Sequence, residues 1–112
     1  MEVYNKLIRD NIDTIINNNG NGEIAVTRIL DDEEYKKELM KKLEEEVEEL
    51  KEAIVTGIDE DIIEESADLI EVIRAVNKDN LDLVIKTLED KRSKRGGFTE
   101  RKYLEIVKKV SE

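Results

Sequence analysis

The chain has 112 residues, 29 acidic and 19 basic, for a formal charge of −10; one domain spanning 1–112 is expected, and the acidic balance argues against a nucleic-acid partner. It contains neither His nor Cys, which excludes a Ser-His-Asp triad, a thiol nucleophile, disulfide staples and an ordinary zinc site. Leu, Ile, Val and Phe supply 34 residues, enough for collapse around a limited core that a second copy is expected to extend. No apolar run approaches the ~20 residues of a membrane span, and the N-terminal stretch is not signal-like, so a cytoplasmic protein without a membrane partner is expected.

Proline is absent and Glu, Lys, Leu and Ile dominate, which predicts an all-α fold. The first helix is predicted over 3–16, stopping at Asn17-Asn18-Asn19-Gly20-Asn21-Gly22, residues that tolerate positive φ. The β-branched Ile24, Val26 and Ile29 favour an extended stretch over 23–30. A long second helix begins after Asp31 or Asp32, where an aspartate caps free amides and Glu34 suits the first turn, and ends at Thr56-Gly57. A third follows over 59–77. The fourth starts near Asn80, carries Leu81, Val84, Ile85 and Leu88 at helical spacing, and ends at Gly96-Gly97, before a short last helix over 99–110. The architecture expected is an antiparallel bundle of four to five helices, its four-helix core completed by dimerisation.

Charge is segregated: residues 31–71 hold 18 acids and 5 bases, whereas residues 91–109 hold 8 bases and 2 acids. A solvated helix surface accounts for most such runs, so the placement of individual carboxylates matters. At ~100° per residue, Leu39, Met40, Leu43, Val47, Leu50 and Ile54 form the buried stripe of the second helix. Glu46 sits on its edge, Glu49 one turn on along the same flank with Glu45 beyond, and Glu44 and Glu48 towards solvent. On the third helix, Ile62, Ile63, Ala67, Leu69, Ile70, Ile73 and Val76 cover more than half the circumference. Asp61, Glu65 and Asp68 share the remaining face, which becomes Val72 one turn onward.

Helices joined by a short turn at Gly57 pack antiparallel, which can bring Glu46 and Glu49 opposite Glu65 and Asp68. Four carboxylates facing one gap repel one another unless a hard divalent cation neutralises them, and an all-oxygen donor set suits Mg²⁺ or Mn²⁺. On the residues alone this reading stands level with an acidic solvent face.

The run Glu45-Glu46-Val47-Glu48-Glu49, followed after fifteen residues by Glu65-Ser66-Ala67-Asp68, resembles the EExxE…ExxD signature of the MazG-like superfamily of all-α nucleoside triphosphate pyrophosphohydrolases. Two more segments resemble a small subgroup of it: Tyr4-Asn5-Lys6-Leu7-Ile8-Arg9-Asp10-Asn11-Ile12 is similar to its KLVRDKI opening, and Arg95-Gly96-Gly97-Phe98 to its RGGF-type closing segment. Asn11 and Asp13 stand where that subgroup often has Lys and Pro.

The resemblance implies cleavage of a nucleoside triphosphate between its α and β phosphates, with Mg²⁺ (Mn²⁺ as substitute) on Glu46, Glu49, Glu65 and Asp68, and Glu45 as general base or outer ligand. It also implies a homodimer or tetramer. Lys91, Lys94 and Arg95, before the Gly96-Gly97 turn, and Lys6 and Arg9 near the N-terminus are the candidate phosphate-binding cations; helix-end capping or pairing with acids of the long helices explains them equally well. Phe98 is expected as a core plug rather than a stacking platform. Two alternatives are the related phosphoribosyl-ATP pyrophosphohydrolase, which breaks the same kind of bond, and a non-catalytic acidic helical interaction module.

Overall fold

The computed structural model describes residues 1–111, which form four α-helices and no strand. They are α1 (Ile12–Asn17), α2 (Asp32–Thr56), α3 (Asp59–Val76) and α4 (Leu81–Arg95). The chain divides into two compact units, one spanning Met1–Asp79 and the other beginning at Asn80.

In the first unit, α2 starts and stops where its local chemistry dictates. The Asp31 carboxylate accepts from the Glu34 amide at 2.9 Å while the Glu34 side chain accepts from the Asp31 amide at 3.4 Å, a complete capping box. Arg28 donates to both Glu34 oxygens, at 3.2 and 2.7 Å, and draws that carboxyl down to about 2. At the other end Gly57 adopts φ 72°, the left-handed conformation that lets its amide return to the Ala53 carbonyl at 3.0 Å. The chain then re-enters a helix at Asp59, where Asp59, Glu60 and Asp61 complement the positive end of α3.

The α2–α3 hairpin holds the core of this unit. Leu39 and Ala53 on α2 and Val72 on α3 are buried, as is Glu46. Leu39, Glu46 and Ala53 are spaced by seven residues, a seam two turns apart.

Two expectations for this face change. Met40 and Ile54, placed in the α2 stripe, and Ile63, Ile70 and Val76, placed in the α3 core, are exposed. Val72 is buried and Glu65 and Asp68 are half-buried, so α3 turns its narrower carboxylate-bearing face inward. A two-helix contact covers one face of each helix, and α3 has apolar residues on more of its surface than α2 can cover.

The first helix is also shorter than expected. It begins at Ile12 rather than residue 3, because Asn5 has φ 47° and a turn closed by the Ile12 amide on the Arg9 carbonyl (3.1 Å) precedes it. It stops at the asparagine cluster as expected, with Asn18 as C-cap and Gly20 and Gly22 at φ 80° and 72°. Residues 23–30 form no strand, and Ile24, Val26 and Ile29 are exposed.

The second unit contains α4, which Asn80 caps by accepting from the Leu83 amide at 3.4 Å. The helix expected over 99–110 is absent: the described residues beyond Gly97 form only turns and irregular chain. Arg101 takes φ 62° in a turn closed on Phe98, which interrupts a helical ladder. Leu104, Ile106, Val107 and Val110 are exposed, so no burial offsets the cost of ordering so short a helix. Phe98 is 98% exposed and is not a core plug.

Candidate metal centre

Residues three apart on a helix share a face, so Glu46 and Glu49 project together from α2 and Glu65 and Asp68 together from α3. Glu46 feels the charge of Asp68, and Glu65 that of Glu49. Advancing three residues along α2 thus matches going back three along α3, the register of an antiparallel pair. One carboxylate oxygen from each of the four residues lies within 4.8 Å of all the others.

Their surroundings differ. Glu46 is 7% exposed, and its Oε2, like Glu65 Oε2, is buried without a hydrogen-bond partner. Glu49 is exposed and Asp68 half-buried, so the group opens on one side. Burial, followed by a hydrogen bond and charge shared with Glu49, pushes the Glu46 carboxyl above the usual range, with Asp68 adding to the rise and Lys42 opposing it. Glu65 is raised in the same way, by desolvation first and then by Glu49, with Asp68 and Glu64 contributing.

Two side chains offset part of this charge. Lys42 Nζ lies 3.8 Å from Glu46 Oε1, and Arg9 Nη2 lies 2.6 Å from Asp68 Oδ1. Two cations against four carboxylates leave the group short of positive charge. Unpartnered buried oxygens, an all-oxygen donor set and that shortfall fit a hard divalent cation.

The Glu45 side chain is 54% exposed, 3.5 Å from Lys42, and lines an open depression with Lys41, Glu44, Glu48 and Glu49. Lys6 Nζ lies 5.6 Å from the Tyr4 ring centroid, a cation–π contact. Lys91, Lys94 and Arg95 belong to the second unit, exposed along the C-terminal end of α4, where cations complement the helix dipole. Of the two N-terminal candidate cations, Lys6 and Arg9, it is Arg9 that reaches one of the four carboxylates within ion-pair distance.

Sequence reasoning missed Lys42, although its signal was present: a lysine four residues before Glu46 and three before Glu45 shares their flank. No family model, curated protein or solved structure matches the chain.

Proposed function

We propose that the chain is a Mg²⁺-dependent nucleoside triphosphate pyrophosphohydrolase that adds water across the α–β phosphoanhydride, releasing a nucleoside monophosphate and pyrophosphate. The observation that carries this reading is the convergence of Glu46, Glu49, Glu65 and Asp68 around two buried oxygens that have no partner. An acidic solvent face would leave its carboxylates in water, and Glu46 is among the most buried residues of the chain. The resemblance of the Glu45–Glu49 and Glu65–Asp68 motifs supplies the reaction class.

In this proposal Glu46, Glu49, Glu65 and Asp68 hold Mg²⁺, with Mn²⁺ as a substitute. When bound, the metal neutralises polyphosphate charge and activates a water for in-line attack at phosphorus. Glu45 would take a proton from that water or support the ligand shell from outside, and its contact with Lys42 orients it. The working unit in this reading is a homodimer in the cytoplasm, the second copy covering Ile63, Ile70 and neighbouring exposed side chains.

The test is a pyrophosphate-release screen over common, modified and phosphoribosylated nucleoside triphosphates, with and without Mg²⁺. The expected outcome is Mg²⁺-dependent release that Glu65→Gln and Asp68→Asn reduce at least ~100-fold, the scale on which electrostatic stabilisation of a transition state is lost. Release that both variants retain refutes the assignment, and turnover confined to phosphoribosyl-ATP moves it to the related enzyme of that substrate.

A further inference from the structure

Arg9 lies outside any helix, three residues before α1, yet its guanidinium makes a bond of unusual reach. Among the described residues, its contact with Asp68 is the one ion pair that joins positions more than six apart; every other one is local. The turn closed by the Ile12 amide on the Arg9 carbonyl fixes the backbone there, and Leu7, Ile8 and Ile12 beside it are half-buried. The segment therefore delivers one positive charge to one particular carboxylate of the four.

That charge is only a partial answer to the centre's needs. It meets Asp68 Oδ1, while the buried oxygens of Glu46 and Glu65 remain without partners. The pair is also open to water, with side-chain exposures of 57% for Arg9 and 42% for Asp68, so it is weakly held and exchangeable. A divalent ion shared by four carboxylates draws Asp68 far more strongly than a solvated guanidinium does, and it removes the negative charge that keeps Arg9 there. Arg9 released at the rim presents a planar fork of donors suited to phosphate oxygens.

We propose that Arg9 is the built-in counter-ion of the centre: it neutralises Asp68 before a divalent cation is bound, yields Asp68 to that cation, and then takes a phosphate oxygen of the incoming polyphosphate. This rests on the metal-centre reading above. Arg9 thereby has two partners in succession, which joins the two roles that its sequence position left open.

The test is calorimetric titration of the full chain with Mn²⁺ in the absence of nucleotide, comparing wild type, Arg9→Ala and Arg9→Lys. Loss of the competing charge makes Arg9→Ala bind Mn²⁺ about 2- to 5-fold more tightly, the scale of one exposed ion pair. Arg9→Lys stays near wild type. At saturating Mn²⁺ a non-hydrolysable α,β-methylene triphosphate binds Arg9→Ala ~10-fold more weakly, the scale of one charge-assisted contact. A merely structural role does not move the two affinities in opposite directions.

Equal or weaker Mn²⁺ binding by Arg9→Ala overturns the counter-ion role while leaving the metal centre standing. Unchanged triphosphate affinity overturns the second half of the proposal. Absence of Mn²⁺ binding by wild type overturns the metal reading and this proposal with it. Should Arg9→Ala lose its helical circular dichroism, hydrogen exchange on wild type decides: amides around Arg9 exchange faster at saturating Mn²⁺, and unchanged or slower exchange refutes the release.

Discussion

Glu46→Gln removes one charge from the centre and leaves the side-chain shape nearly intact, which makes its consequences separable. Glu46 is 7% exposed and its Oε2 has no partner, so the ionised form is destabilising whenever no cation is bound. Removing the buried charge is worth about 1 kcal/mol, the lower end of the ~1–3 kcal/mol range because the amide that replaces the carboxylate still finds no partner. With an unfolding entropy of about 2.1 cal/mol/K per residue over 112 residues, 1 kcal/mol corresponds to about 4 °C. The metal-free variant is therefore expected to melt about 4 °C above wild type.

Magnesium cancels the difference. At ten times its dissociation constant, Mg²⁺ stabilises wild type by about 1.4 kcal/mol, or about 6 °C. If loss of a ligand carboxylate weakens the site ~10-fold, the same concentration stabilises the variant by about 0.4 kcal/mol, or about 2 °C. The assay is thermal melting followed by circular dichroism, in EDTA and in MgCl₂ at matched ionic strength. A variant that melts below wild type in EDTA and keeps the full Mg²⁺ rise refutes both the buried-charge argument and the metal assignment.

The raised Glu46 and Glu65 carboxyls also set a pH dependence: the folded state holds protons that the unfolded chain, at about 4.5, has lost. Their contribution is fully present below pH 4.5 and disappears as pH rises through the folded values, so the metal-free melting temperature falls as pH rises above 4.5, and Mg²⁺ reduces that fall. The Glu34 carboxyl, held at about 2, acts oppositely but only below pH 4.5, outside this window. A melting temperature in EDTA that stays flat or rises as pH is raised above 4.5 contradicts the argument. If Lys91 and Arg95 bind phosphates, Lys91→Ala and Arg95→Ala weaken triphosphate turnover ~10-fold with metal binding intact, whereas unchanged kcat and KM confine them to helix-end capping; Glu44→Gln, exposed on α2, serves as the unaffected control. Light scattering at micromolar concentration is expected to give at least twice the chain mass of 13.0 kDa, and a 13.0 kDa species refutes the dimer.

What the sequence determined by itself is local. The ends of α2 follow from Asp31, Glu34 and Gly57, and the start of α4 from Asn80, because capping joins groups no more than four residues apart. The pairing of Glu46 with Glu49 and of Glu65 with Asp68 is equally local, since residues three apart share a helix face. Tertiary structure decided what local spacing leaves open. Apolar residues cover more than half of α3, so periodicity favoured the side with Ile63 and Ile70 as the buried one, whereas contact with α2 buries the side with Val72. The helix expected over 99–110 depended on a partner surface that its apolar residues do not find, and its spacing carried no record of that. Arg9 had two plausible roles because its partner lies 59 positions away, and a single long-range ion pair leaves no periodic trace in a chain this rich in carboxylates.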